Sequence, residues 1–148
     1  MEILKSELKE VQVSYNTTGI KKRKITSSSS AQIIFKELFP VDIEHREALT
    51  VLFLNRANNT IGYFVGSIGG VSGAVVDSRL IFQTALKVNA SALILCHNHP
   101  SGNLNPSDAD LKLTKKIVKA GEILDIQVLD HIIITDESYY SFADEGKI

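Results

Sequence analysis

The sequence predicts an α/β domain: a mixed β-sheet flanked by helices. Apolar runs of strand length alternate with amphipathic stretches of helical period. Hairpin-like pairs interrupt that alternation, so the sheet is not purely parallel. The chain has 148 residues, which suits one domain of the usual roughly 100–200. At this size folding removes about 68–70% of the unfolded surface from water, so the core needs no staples.

The elements follow in order. Residues 1–26 read as a polar, partly extended segment ending in the basic run Lys21-Lys22-Arg23-Lys24. Charges of this kind on a loop or strand edge are more often a solvated face than a nucleic-acid contact. Ser27 to Ser30 offer N-caps for a short amphipathic helix over Ala31–Phe39, closed by Pro40. Leu49–Leu54 reads as a buried strand, Asn55–Asn59 as a polar turn, and Ile61–Val65 as the returning strand of a hairpin. Gly66-Ser67-Ile68-Gly69-Gly70 has no Gly-Lys-Ser/Thr after it and reads as a turn or bulge rather than a phosphate loop. Asp77 or Ser78 can cap a helix over Arg79–Asn89, with Leu80, Thr84, Leu86 and Val88 as inward positions. Ala92–Leu95 is short and wholly apolar, as in a central strand covered on both faces. After a loop from His97 to Pro106, Ser107 opens a helix to about Leu124 with Leu113, Ile117, Ala120 and Leu124 along one face. Two further strands are expected near Ile126–Leu129 and Ile132–Thr135.

Composition narrows the function. The hydrophobic share is 44% and the charged share 22%, ordinary for a soluble protein. Sixteen basic and seventeen acidic residues leave a formal charge of −1, which gives no general attraction to nucleic acid or anionic membrane. A single cysteine excludes an intrachain disulfide framework and a Cys-rich zinc module, and fits a reducing, cytoplasmic setting. The N-terminus, MEILKSELKE, is too charged for a signal peptide, and no apolar run approaches the roughly 18 residues of a membrane helix.

The informative segment runs from His97 to Asp110. In extended chain, residues two apart point the same way, so His97 and His99 present two imidazoles on one face while Cys96 and Asn98 point to the other. Two imidazoles at the open end of a buried strand suit a divalent cation. A carboxylate from Asp110, in the first turn of the following helix, would complete a His₂Asp set for zinc with the fourth position open. The positive end of that helix favours the ionised carboxylate that a ligand requires. Singly, each feature has a structural explanation: a histidine near a strand end is often just hydrogen-bonded, and Ser107-x-x-Asp110 is a plausible helix cap. Their coincidence within fourteen residues favours a site.

His-x-His, seven residues, Ser, two residues, Asp resembles the JAMM (MPN⁺/JAB) metalloprotease motif, matched at His97, His99, Ser107 and Asp110. The resemblance is closer still to the bacterial RadC-like branch, from about Ser27 to Phe142. It includes the stretch from Leu93 to Gly102 and Asp130-His131-Ile132-Ile133-Ile134. It implies a cytidine-deaminase-like α/β fold, with residues 27–148 as the JAMM domain behind an N-terminal extension, 1–26. It also implies one zinc per chain on His97, His99 and Asp110, with Ser107 helping at the oxyanion. An upstream catalytic glutamate belongs to the same pattern. Glu47 matches by its place ahead of Leu49–Asn55, Glu44 competes three residues earlier, and a plain surface residue is the alternative for either. Full-length RadC-like proteins often carry an N-terminal helix-hairpin-helix region. Residues 1–26 are too short for one, which removes the part best suited to touch DNA.

The implied chemistry is hydrolysis of an amide or isopeptide bond in a peptide or protein. A three-ligand zinc lowers the pKa of the water it holds toward about 7. Glu47 would accept that water's proton and deliver it to the leaving amine, and Ser107 would donate to the tetrahedral oxyanion. The alternatives are a DNA-repair-associated accessory protein and a zinc-binding module without activity. Consecutive His-Asn-His lacks the scattered spacing of HNH nucleases, and the His-x-Glu and Pro-Cys-x-x-Cys of zinc deaminases are missing. His131 reads as a core residue or a support for the site, His45 as solvated, and Cys96 as a small hydrophobe in the core. The sequence leaves the oligomeric state open.

Overall fold

The computed structural model describes residues 9–69 and 76–148. Among them the order is α1 (Ser28–Leu38), β1 (Ala48–Leu54), β2 (Thr60–Ile68), α2 (Ser78–Lys87), β3 (Ala92–Asn98), α3 (Asp108–Leu124), β4 (Gln127–Ile134) and β5 (Tyr139–Ser141). The strands form one sheet in the order β2-β1-β3-β4-β5. Only β3 and β4 pair in parallel; the other neighbours are antiparallel. That parallel pair is joined through α3, the long crossover that such pairing requires.

Helices cover both faces of the sheet. On one, α1 packs Ala31, Ile34 and Phe35 against Leu52, Leu54, Ile94 and Ile132. On the other, Ile81, Phe82 and Ala85 of α2 and Ile117 of α3 meet Val51, Phe53, Leu93 and Leu95. The predicted helix-flanked mixed sheet is therefore the fold. β1 and β3 are buried along their whole length, which is why both are nearly all apolar and send alternate residues to two different cores.

The start of α1 uses the serine run. Ser27 is the N-cap; its Oγ accepts from Ser30 N at 3.1 Å, and Ser30 Oγ accepts from Ser27 N at 3.0 Å. This reciprocal cap starts the helix at Ser28, ahead of the expected Ala31. In the basic run, Arg23 forms an ion pair with Glu37 at 2.6 Å, while Lys21, Lys22 and Lys24 are exposed. Gly66 is the bulge: pairing passes from Leu49↔Ser67 to Thr50↔Val65 and leaves it as the extra residue. Gly70, at the end of that glycine-rich stretch, lies outside the described residues.

Several expectations are corrected. Leu80 and Leu86 of α2 are 44% and 53% exposed, while Ile81, Phe82 and Ala85 form the buried seam. Apolar residues on more than one side of this short helix hid its true face. On α3, Ile117 is buried as expected, but Leu124 is 40% exposed, and Thr114 and Gly121 complete the seam. β3 continues through Asn98, so His97 belongs to the strand and not to the loop. The two strands expected over 126–135 are one, β4, because the polar pair Asp130-His131 is buried within it instead of turning. β5 was not anticipated. No helix among the described residues is long and apolar enough to cross a membrane.

Candidate metal centre

The pleat of β3 puts His97 on the same side as Leu93 and Leu95, and Asn98 on the side of Ile94 and Cys96. His99 extends the ladder by one rung, its N–H donating to Ile134 O at 3.1 Å, so its imidazole shares the face of His97. The chain then turns through Gly102, whose φ of 82° suits glycine. It returns to Ser107, the N-cap of α3, and Asp110 stands in that helix's first turn.

Ligand-capable atoms of His97, His99 and Asp110 all lie within 4.8 Å of one another. His97 Nε2 is 2.9 Å from His99 Nε2 and 3.2 Å from Asp110 Oδ1, and His99 Nε2 is 3.2 Å from Asp110 Oδ2. His99 and Asp110 are also held from outside the cluster. His99 Nδ1 lies 2.5 Å from Asn103 O, and Asp110 Oδ2 also accepts from Ser107 N at 2.8 Å. Two imidazoles and a carboxylate thus turn ring nitrogens and oxygens toward one another, an arrangement suited to holding a cation between them. The donor set, two nitrogens and a carboxylate oxygen, fits zinc and its neighbours in the first transition row.

The electrostatics agree. Burial pushes the Asp110 carboxyl up, but the hydrogen bonds to His97 and His99, with the Ser107 N–H, outweigh it and hold the group well below the usual range. Asp110 is thus ionised. Its hydrogen bond raises His99, and burial opposes only part of that rise. A proton is drawn to the place a metal cation would take.

A cavity of about 240 Å³ opens beside this cluster, walled by Glu47, Leu49, Val76, His97, Ala109, Asp110 and Leu113 among others. Glu47 is half-buried in that wall, one residue ahead of β1. Glu44 is exposed in the preceding turn, where its N–H donates to Asp42 Oδ1 at 3.1 Å, and does not line the cavity. Ser107 is exposed at the cap of α3; its Oγ accepts from Asp110 N at 3.1 Å, and it too stands outside the cavity wall. Cys96 points to the opposite core, and His45 is exposed.

Three residues support the site, and two of them, Asn98 and Thr114, were not identified from sequence, whereas His131 was read as a core residue or a support. Asn98, fully buried, accepts from Ala48 N at 2.9 Å and donates to Ile43 O at 2.8 Å and Arg46 O at 2.7 Å. It clamps the segment that carries Glu47, whose own carbonyl accepts from Gly69 N at 2.8 Å. The available signal was an amide at the end of a buried strand, which must find partners. His131, also fully buried, contacts His97 Nδ1 at 2.7 Å, and Thr114 contacts His131 Nδ1 at 2.7 Å. Burial pushes the His131 imidazole well below its ordinary value. Thr114 lies one helical turn after Asp110 on the same face, a spacing that was legible but unused.

A mixed sheet with His-x-His at the end of a central strand, and a carboxylate in the first turn of its crossover helix, defines an α/β domain with a candidate metal centre. The RadC-like JAB domain family matches residues 25–147, and the chain belongs to that family. A UPF0758 protein of Flavobacterium johnsoniae is 53% identical over 127 residues, covering 86% of this chain and 55% of the relative. Another, from Methanococcoides burtonii, is 43% identical over 128 residues, with the same two coverages of 86% and 55%. A third, from Pseudomonas fluorescens, is 48% identical over 103 residues, or 70% of this chain and 46% of the relative. The chain spans about half the length of these curated relatives, and their names state no activity.

Proposed function

We propose that the chain is a zinc-dependent metallohydrolase of the peptidase or isopeptidase type, acting on an amide bond in a peptide or protein. The observation that carries the reading is the set of inward-facing donors on His97, His99 and Asp110, with Glu47 in the wall of the same cavity. The hydrolase domain is taken as residues 27–148, working in the reducing cytoplasm that a lone thiol suits.

Bound zinc would supply Lewis acidity at the cluster. His97, His99 and Asp110 would hold it, and Asp110 enters that role already ionised. Glu47 accepts a proton from the attacking water and returns it to the departing amine, as a general base that becomes a general acid. The Ser107 hydroxyl, which accepts from Asp110 N, keeps its own hydrogen to donate to the oxygen that gains charge. Loss of such a donor typically costs about 10²–10³ in rate. Leu49, Val76, Ala109 and Leu113 line the cavity with apolar surface, which strengthens these interactions by excluding water.

The test starts with the metal content of untagged protein by plasma mass spectrometry. Near one zinc per chain is expected, lost or weakened in Asp110→Ala. Peptide and isopeptide substrates are then screened, and Glu47→Gln should retain zinc while losing turnover. A folded protein that takes up no added zinc overturns the reading. Zinc binding with no turnover in the wild-type chain would identify an inactive module, and DNA binding that weakens steeply with salt would favour the accessory role.

A further inference from the structure

We propose that His131 and Thr114 are positioning residues for this centre: they hold His97 in the tautomer that carries its proton on Nδ1 and leaves Nε2 bare toward the cluster. The proposal rests on the metal-centre reading above and adds the groups standing behind it.

The relay has a direction, and one end fixes it. Thr114 Oγ1 lies 2.7 Å from the carbonyl oxygen of Asp110, a back-bond within α3. A carbonyl has no hydrogen to give, so the single hydroxyl hydrogen of Thr114 is spent there. The 2.7 Å contact between Thr114 Oγ1 and His131 Nδ1 must then be donated by the imidazole. A neutral imidazole carries one N–H, so His131 Nε2 is an acceptor. Its partner at 2.7 Å, His97 Nδ1, is therefore the donor. The remaining nitrogen of His97 is a lone pair aimed at His99 and Asp110. Asn103 O acts on His99 in the same sense, taking Nδ1–H and turning Nε2 to the cluster.

The surroundings keep His131 neutral and oriented. It is fully buried on β4, opposite Leu95 of β3 and thus on the face of His97. Its ring stacks on Phe142 at 4.6 Å between centroids. None of its side-chain hydrogen bonds goes to a carboxylate, and an unpaired buried charge is strongly disfavoured. Groups that fix a ligand histidine in this way typically contribute about 10–100-fold to metal affinity.

The experiment uses the full chain with ¹⁵N-labelled histidine. In metal-free protein, long-range proton–nitrogen correlation spectra read the tautomer of each ring directly. His131 and His97 should both be Nδ1–H forms. An Nε2–H form of His97, or an imidazolium at His131, overturns the proposal. Zinc affinity, measured by competition with a chromogenic chelator, supplies the second readout. Thr114→Val keeps the shape and loses the hydroxyl, and it should weaken zinc about tenfold; Thr114→Ser should restore it. Equal affinity in Thr114→Val and wild type, with both folded, refutes the relay. Failure of the wild-type chain to take up zinc removes the metal-centre reading, whereas the tautomers, read without metal, decide the relay separately.

Discussion

Truncating Asn98 tests whether the segment bearing Glu47 is fixed by one side chain. In Asn98→Ala, the Ala48 N–H loses its acceptor inside a fully buried residue pair, and an orphaned buried donor costs about 1–3 kcal/mol. The carbonyls of Ile43 and Arg46 lose their donor too. Ile43 is half-buried and Arg46 exposed, so water replaces the amide and each loss is a net of about 0.5–1.5 kcal/mol. The total is about 2–6 kcal/mol, which for a chain of this length lowers Tm by on the order of 10 °C. Urea unfolding at constant m-value gives the free energy. Asn98→Asp should cost more at neutral pH, because it turns a carboxylate oxygen toward two carbonyls. A loss below about 1 kcal/mol in Asn98→Ala would show that the segment before β1 is held by its other bonds, and the clamp would be refuted.

Three further outcomes follow from buried features. Burial, helped by the charge of Asp130, pushes the Cys96 thiol well up, so the native protein should resist an aromatic disulfide reagent that the urea-unfolded chain consumes at once. Because the folded state keeps the thiol proton, the Cys96 contribution to the unfolding free energy should be level below about pH 8.5 and fall above it, by up to about 1.4 kcal/mol per pH unit; Cys96→Ala should remove that part of the slope. Gly121→Ala would drive a Cβ into the carbonyl oxygen of Ile126 and should cost about 1–3 kcal/mol or more by thermal unfolding. On α2, Leu86→Glu should change stability by no more than about 0.5 kcal/mol, whereas Phe82→Ala should cost about 3–5 kcal/mol. Equal effects would refute the assigned face.

Much of this was legible because the relevant signals are local. The two-residue period of an extended chain put His97 and His99 on one face, and the serine caps announced both α1 and α3. The bulge at Gly66 was visible as a glycine-rich break in a strand pattern. What escaped was set by tertiary partners. Asp130 and His131 look like a polar turn until Asp130 is seen accepting from His131 N, Ser141 Oγ and Ala143 N at 2.7, 2.6 and 3.0 Å. Those partners include residues of β5 and beyond, so the polar pair and the missing strand were one error. The face of α2 failed for a different reason: Leu80, Ile81, Phe82, Leu86 and Val88 satisfy more than one helical stripe, and only the sheet selects between them.

Glu47, the His-x-His pair and Asp110 come from three separate stretches of chain. They are brought together by the register of Leu49 opposite His97 and by the crossover through α3. Asp110 is only 11 residues from His99, but the pairing of Leu49 with His97 joins distant strands, and a partly folded chain that lacks it has no Glu47 beside the donors. A cation bound here would meet the whole site, Glu47 included, only after the sheet has closed, unlike a zinc finger, whose ligands gather around the ion as it folds. Its contribution would be one of mass action, growing with the logarithm of free metal over the dissociation constant. Metal supply would lengthen the lifetime of molecules already folded without rescuing those that cannot close the sheet.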